Sequence, residues 1–361
     1  MLGFKKTYTL PFKFLIPTYI DQFTNDMPVF DRLLKYIKRY LYILIKGQKS
    51  LEVFDILDKH KKILWINFSA PSLGDSLMDL SSRILLTNKL VDLLTSEKNA
   101  HIFSADHYFS HVYSDKKEII KKSYDLVILD SYSTRSIKIK SEILPSLEYV
   151  GMYGYFNGPE VNRVLFSFHK MNHILGYKKS ETEINSLAKC YMDISLDDQR
   201  LVSKFKLPNV FVSIVIGGEW GYRSYNYWIE IIDFLLNDQN IKIVIIGSDN
   251  AKETEKLILN KFQNTNITSF VAKCSFNQSA YIISKSKLLI CCDGGLMHAA
   301  NALESRVIVL FARLESKMQL TDSCNAFPLF DELDVNNIPV EEVISKYCEI
   351  FNSDYKHLQN E

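Results

Sequence analysis

The sequence carries no surplus of charge: 43 Lys and Arg stand against 42 Asp and Glu over 361 residues. A dedicated nucleic-acid binder usually shows a basic excess, so no nucleic-acid partner is expected. No apolar run approaches the roughly 20 residues that a membrane span needs. Near the start, Lys5 and Lys6 are followed by Pro11, Lys13 and Pro17, which interrupt the apolar core of a signal peptide. The expected location is therefore the cytoplasm. Six cysteines are present, Cys190, Cys274, Cys291, Cys292, Cys324 and Cys348, with no CxxC pair and no His/Cys cluster at zinc spacing. They read as reduced core thiols in a reducing compartment. Cys291 and Cys292, adjacent in an apolar strand, should point to opposite faces. No Asp-x-Asp pair is available to hold a catalytic metal, and neither GxGxxG nor a Walker loop occurs. There is no internal repeat or low-complexity tract.

What is present fits two domains: the length is about right for two, and a hydrophobic fraction of 47% supplies two sizeable cores. Residues 1–50 carry nine Lys or Arg against three Asp. Phe30 to Lys46 reads as an amphipathic helix with Phe30, Leu33, Leu34, Ile37, Leu41, Leu44 and Ile45 on one face. Arg32, Lys35, Lys38, Arg39 and Lys46 lie largely around the rest. Such a helix either packs on the first domain with its charges solvated or faces an anionic membrane or acceptor.

From Lys62 the pattern alternates between strand and helix. Strands are expected at Ile63–Phe68, His101–Ala105, Leu126–Asp130 and Glu148–Phe156, and helices at Leu77–Leu90 and Val164–Leu175. A polar stretch, 196–208, reads as a linker, after which the alternation restarts. Strands are expected at Val210–Ile216, Ile241–Ile246, Leu288–Cys292 and Val307–Phe311. Helices are expected at Trp228–Leu236, Lys252–Phe262, Gln278–Ser286, Gly295–Leu303 and about Val340–Phe351. This is an α/β chain of two doubly wound, Rossmann-like domains. The divisions are a basic helical extension at 1–60, a first domain at 61–200, a second at 209–340 and a C-terminal helix at 341–361. Two such domains leave a central cleft, and ligands of these sheets bind outside the carboxyl ends of the strands.

Three segments sit at such ends. Ser69-Ala70-Pro71-Ser72-Leu73-Gly74-Asp75 joins a strand to a helix. Asp75 there is either a helix cap or a carboxylate able to deprotonate a hydroxyl. Cys292-Asp293-Gly294-Gly295-Leu296-Met297-His298 makes a second strand-to-helix turn. Its glycines admit a ligand to backbone amides and the helix N-terminus favours anions, so a diphosphate fits; a tight turn without a ligand is the alternative. Gly217-Gly218-Glu219-Trp220-Gly221-Tyr222-Arg223 is a glycine-rich loop whose Arg223 offers a forked donor to a phosphate, while Glu219 and Trp220 read as ordinary loop residues. Lys273-Cys274-Ser275-Phe276 precedes a helix and means nothing alone. Arg135, Lys138 and Lys140 read as a solvated face rather than as acceptor contacts.

Taken in order, these segments resemble the ADP-heptose:lipopolysaccharide heptosyltransferases, glycosyltransferase family 9, over about residues 62–315. The likeness rests on Ser72-Leu73-Gly74-Asp75, on the Gly217–Arg223 loop followed by Tyr225-Asn226-Tyr227-Trp228, and on Asp293, Gly295 and His298 of a DxGxxH pattern. The resemblance implies a GT-B fold and an inverting transfer without metal or other cofactor, the ADP-sugar being the donor substrate. It makes Asp75 the general base and gives the donor diphosphate to the amides of Gly294 and Gly295, with Asp293 and His298 shaping the turn. Gly217, Gly218 and Arg223 are carried over as donor contacts. Cys274 falls where a backbone contact reaches adenine, and Glu253, with Asp249 as rival, is the expected ribose carboxylate. The chain departs from the pattern at Gly294, where the family usually has Thr or Ser, and near Gly221, where it usually has a lysine that Arg223 would replace. The implied acceptor is an anionic inner-core lipopolysaccharide, Kdo-lipid A, at the cytoplasmic face of the inner membrane, which peripheral contact through the basic helix would suit. A protein or other glycan acceptor, and a non-catalytic nucleotide-sugar-binding protein, are the alternatives.

Overall fold

The computed structural model describes residues 29–70, 72–155, 161–237, 241–263 and 266–358. Lys5 to Pro17, Pro71, Phe156 and residues 359–361 lie outside the described residues. The chain divides into two compact units: Met1–Asp193 with a returning segment, Lys317–Ser323, and Ile194–Ser316 with Cys324–Glu361.

In unit 1, strands β1 (Lys62–Asn67), β2 (Leu90–Thr95), β3 (His111–Tyr113), β4 (Leu126–Leu129) and β5 (Tyr149–Gly151) form a parallel sheet in the order β3-β2-β1-β4-β5. Ile63, Leu64, Trp65 and Ile66 of β1 are all fully buried. Burial on both faces explains why this strand reads as a continuous apolar run rather than an alternating one. The helices are α1 (Val29–Ile45), α2 (Leu73–Asp79), α3 (Glu97–Phe103), α4 (Thr134–Ile143), α5 (Arg163–Ile174) and α6 (Glu181–Leu187). Serines start four of them: the side chains of Ser72, Ser96, Ser133 and Ser180 each accept from the amide three residues on, satisfying donors the helix cannot pair internally.

Unit 1 corrects several expectations. Helix Leu77–Leu90 is instead α2, a 3-10 turn at Ser81–Leu85, and then β2. His101–Ala105, expected as a strand, belongs mostly to helix α3, started by Ser96. On the β3 side, the strand that pairs with β1 is β2, whose apolar pattern is broken by buried Asp92. That carboxylate is tolerated because Tyr124 Oη donates to it at 2.8 Å and His111 Nδ1 lies 3.2 Å away. Lys140 is not on a solvated face. It is buried, its ammonium donating to Gln48 Oε1 at 2.5 Å, and burial pushes its pKa down to about 8. Lys138 and Arg135 are exposed. Helix α1 also packs differently from its apolar pattern. It meets unit 1 through Tyr36, Arg39, Tyr40 and Ile43: both tyrosines lie against Tyr155, Arg39 Nη1 donates to the Tyr155 carbonyl at 2.9 Å, and Ile43 is fully buried. Burial lowers the Arg39 pKa to about 10.

Unit 2 begins with α7 (Leu196–Ser203), which occupies the start of the polar stretch 196–208. It packs on α10 (Phe276–Ser284), where Gln278 Nε2 donates to Asp198 Oδ1 at 3.1 Å. The sheet comprises β6 (Phe211–Val215), β7 (Lys242–Ile246), β8 (Ile267–Ser269), β9 (Leu288–Cys292), β10 (Val307–Ala312) and β11 (Ala326–Asp331), all parallel, in the order β11-β10-β9-β6-β7-β8. The remaining helices are α8 (Trp228–Asn237), α9 (Lys252–Lys261), α11 (Gly295–Ala302) and α12 (Val340–Leu358). Trp228, Ile231, Ile232 and Leu235 of α8 bury the helical face that packs with Ile214, Ile245 and Ile290 of the central strands. All six cysteines are free thiols, with Cys291 and Cys292 buried in β9.

Candidate functional site

In each sheet the first strand has its successor on one side and a later strand on the other. Such a reversal leaves a crevice at the carboxyl ends, where open α/β sheets hold ligands. In unit 1 the reversal lies between β1's neighbours β2 and β4; in unit 2 it lies between β7 and β9, on either side of β6. The motif residues of the sequence fall on these ends.

After β1, the cap of α2 is Ser72 rather than Asp75. The Ser72 hydroxyl accepts from the Asp75 amide at 3.2 Å and donates to Asp75 Oδ2 at 2.6 Å. Asp75 stands in the first turn with its side chain 20% exposed, and its Oδ1 lies 3.2 Å from Arg163 Nη1. Arg163 also makes a forked pair with Asp79, Nε to Oδ1 at 2.8 Å and Nη2 to Oδ2 at 2.5 Å. One buried guanidinium therefore serves two carboxylates spaced one helical turn apart on α2. Burial raises Asp79 to about 6, with Arg163 opposing that rise. Burial disfavours the Arg163 charge, but Asp79, Tyr153 and Asp75 outweigh it and hold the group protonated.

Arg163 is placed by Asn162, the cap of α5. Its side-chain oxygen accepts from the Leu165 amide at 3.0 Å, and its Nδ2 donates to the Lys317 and Leu320 carbonyls of the returning segment, each at 2.8 Å. On the β4 side, buried Asp130 accepts from the amides of Phe68 at 2.7 Å and Ser69 at 2.5 Å, and from Ser136 Oγ at 2.9 Å. It thereby fixes the loop that leads to Asp75. Burial raises the Asp130 pKa, against the pull of those donors.

In unit 2 the loop after β6 turns at Gly217, whose φ is +87°. A Cβ there would lie 3.0 Å from Ala251 Cβ, and one on Gly218 would lie 2.7 Å from the Arg223 carbonyl oxygen. Asn250 Nδ2 donates to the Gly218 carbonyl at 2.8 Å. These close approaches are what the glycines permit. The loop delivers Arg223, whose Nη1 lies 3.0 Å from Asp293 Oδ2, Asp293 being 3% exposed. Arg223 Nε is buried and has no hydrogen-bond partner among the described residues. Tyr222 lies beneath Arg223, and the Arg313 guanidinium stands 3.9 Å from the centre of the same ring. Gly294 is the cap of α11 and supplies no side chain to the first-turn amides. Those amides and the helix dipole face the end of β9, an arrangement suited to an anion. Gly295 opens the helix and His298 is buried in it.

The structure therefore brings Gly217, Gly218, Arg223, Asp293, Gly294 and Gly295 to the β6–β9 end. Cys274 lies beyond β8, half-buried, with its thiol pushed up to about 11 by burial. Glu253 is exposed in the first turn of α9, and Asp249 pairs with Lys252 at 2.6 Å. Sequence reasoning did not find Asp79, Arg163, Asp130 or Arg313. Asp79 had a signal, its four-residue spacing from Asp75 on one helix face. Arg163 had none, since it arrives from 84 residues away in sequence. A cavity lined by Asp58, Lys61, Leu85, Asn88, Lys89 and Lys178 lies at the amino ends of β1 and β2, away from these motifs.

Residues 158–326 match the sequence model of Glycosyltransferase family 9 (heptosyltransferase), so the resemblance holds for the motifs inside that span, Gly217–Arg223 with Tyr225–Trp228 and Asp293–His298; Ser72–Asp75 lies outside it. No curated protein matches the chain. A glycosyltransferase of family 9 from Veillonella parvula is similar in structure, with a TM-score of 0.67 at 14% identity over 81% of this chain and 98% of that one. The ADP-heptose lipopolysaccharide heptosyltransferase II of E. coli gives 0.62 at 16% identity over 81% and 99%. E. coli heptosyltransferase WaaC with ADP gives 0.59 at 16% identity over 81% and 98%. At these identities the likeness shows the fold, the GT-B type expected from the sequence.

Proposed function

We propose that this chain, which matches glycosyltransferase family 9 over residues 158–326, is an inverting, metal-independent heptosyltransferase. It takes ADP-heptose as donor and an inner-core lipopolysaccharide acceptor, Kdo-lipid A. The observation that carries the reading is the β6–β9 end of unit 2. There the N-terminus of α11, without a side-chain cap, stands beside Arg223, whose buried Nε has no partner among the described residues. A diphosphate would supply the missing acceptor and meet the open amides of the helix. Arg223 is tied to Asp293 through one nitrogen only, and a guanidinium carries five N–H donors. Two relatives of like fold are described as ADP-heptose lipopolysaccharide heptosyltransferase II and as WaaC with ADP, which supports the donor class.

In this reading the acceptor hydroxyl attacks the anomeric carbon as the bond to the diphosphate breaks, inverting that carbon. Asp75 takes the hydroxyl proton, an effect typically worth about 10²–10⁴-fold. A carboxylate has about four acceptor sites on its two oxygens, so the contacts from Ser72 and Arg163 leave room for a substrate hydroxyl while fixing the group's orientation. Negative charge grows on the leaving ADP, and Arg223 with the α11 amides stabilises it. Gly217 and Gly218 keep the loop close to the sheet, Cys274 places the backbone toward adenine, and Glu253 is assigned the ribose. The engagement of both Asp75 oxygens favours one second reading, a nucleotide-sugar-binding protein in which Asp75 only secures α2.

ADP release from ADP-heptose, measured with and without Kdo-lipid A, separates the two. Acceptor-dependent release that falls at least 100-fold in Asp75→Asn, with ADP affinity kept, supports transfer. Donor binding without release in the presence of acceptor overturns it and favours the binding protein. Arg223→Gln is expected to weaken ADP binding about tenfold or more.

A further inference from the structure

Helix α1 presents six large apolar side chains to solvent: Phe30, Leu34, Ile37, Leu41, Leu44 and Ile45 are between 41% and 79% exposed. At 100° per residue they occupy an arc of about 100°. The residues that hold the helix to unit 1, Tyr36, Arg39, Tyr40 and Ile43, lie on a different face. The amphipathic pattern is thus not consumed by folding. Isolated exposed leucines are common on proteins, but a contiguous row along one 17-residue helix marks an interaction surface.

Charge identifies the occupant. Exposed Lys35, Lys38 and Lys46 run along one flank of the apolar row, and Asp31 is the helix's one acidic residue. A second copy of the chain would bring the same lysines and repel them. An anionic bilayer offers acyl chains to the row and phosphates to the flank. Among the described residues no helix is long and apolar enough to cross a membrane, which leaves the in-plane mode. We infer that α1 docks unit 1 on an anionic lipid surface, lying in the plane of the interface with Phe30, Leu34, Ile37, Leu41, Leu44 and Ile45 inserted. This stands apart from the transferase reading and would hold for a different acceptor.

The test uses the full chain and no activity measurement. Flotation is measured with vesicles of phosphatidylethanolamine and phosphatidylglycerol, and with vesicles of phosphatidylcholine. The wild type is expected to float with the anionic vesicles and at least tenfold less with the neutral ones. The variant Leu34→Ser/Ile37→Ser/Leu41→Ser should lose flotation by at least tenfold while keeping the wild-type circular dichroism, since all three side chains are exposed. Lys35→Gln/Lys38→Gln/Lys46→Gln should lose the anionic preference, as should the wild type in 0.5 M salt (Debye length about 4 Å). Absence of wild-type flotation overturns the proposal. So does equal flotation of the serine variant, or a wild-type dimer that the serine variant makes monomeric with flotation unchanged.

Discussion

Replacing Arg163 by Met removes one cation from between two carboxylates. Asp79 is 3% exposed and loses both hydrogen bonds; Asp75, 20% exposed, loses its 3.2 Å contact. Stripping one partner from a buried pair costs about 3–5 kcal/mol. The pH dependence follows from Asp79, which burial already raises from 3.8 to about 6. A folded-state value above the unfolded one means that the native protein binds the extra proton, so stability falls as pH rises through that window. Without Arg163 the opposing attraction is gone, Asp79 moves above 6, and the fall extends past neutrality.

The loss in Arg163→Met should therefore be larger at pH 8 than at pH 5.5. Adding Asp79→Asn removes the stranded charge and should restore most of it. Urea unfolding followed by the fluorescence of Trp65, the tryptophan of unit 1, gives all three comparisons. A loss under about 1 kcal/mol at pH 8, equal losses at the two pH values, or no rescue by Asp79→Asn would refute the reasoning. The rescued double variant also isolates Asp75, which then keeps its fold but not its cation. If Arg163 holds that carboxylate in its working orientation, acceptor-dependent ADP release falls about 100-fold in the double variant.

Two glycines of the unit 2 site should respond in opposite ways. Gly217→Ala places a side chain at φ +87° and 3.0 Å from Ala251 Cβ, and is expected to cost about 1–2 kcal/mol in urea unfolding. At Gly294 the backbone is extended and the nearest atom to a new Cβ is 3.9 Å away. Gly294→Thr should leave stability within about 0.5 kcal/mol and tighten ADP binding in calorimetry by adding a hydroxyl; weaker binding would count against a diphosphate there. Burial holds Lys140 down at about 8 against an ordinary 10.5. The folded state thus binds fewer protons than the unfolded one between those values, and stability should rise with pH from about 8 to 10.5. Lys140→Met should remove that rise, as seen by comparing unfolding at pH 7.5 and 10 with the wild type.

The central strands were legible because burial on both sides leaves an uninterrupted apolar run. Lys62–Asn67 and Leu288–Cys292 agree with expectation to within a residue. Leu90–Thr95 is not legible as a strand because Asp92 breaks its run, and the tyrosine and histidine that make this carboxylate tolerable come from elsewhere in the chain. The three-residue edge strands β3 and β8 offer too few side chains to establish a period. Helix α3 carried a legible signal, Ser96 followed by Glu97, which the apolar HIF sequence obscured.

The candidate site divides along the same line. Residues supplied by the loop after a strand, such as Asp75, Gly217, Arg223 and Asp293, are visible because one short segment contains both the strand end and the chemistry. Residues supplied by folding are not: Arg163 reaches Asp75 only because α5 packs on α2, and Asp130 pins the β1 loop only because β4 pairs with β1. Helix α1 shows the converse. Its amphipathic period is plain in the sequence, yet period alone does not say which side meets the protein. Tyrosines 36 and 40 together with Arg39 form a better-bonded contact with the Tyr155 region than the apolar row would. Hydrogen-bond donors and rings fixed the packed face, and the most hydrophobic face was left to solvent. A hydrophobic pattern therefore predicts a helix here, but its burial has to be read from the partners.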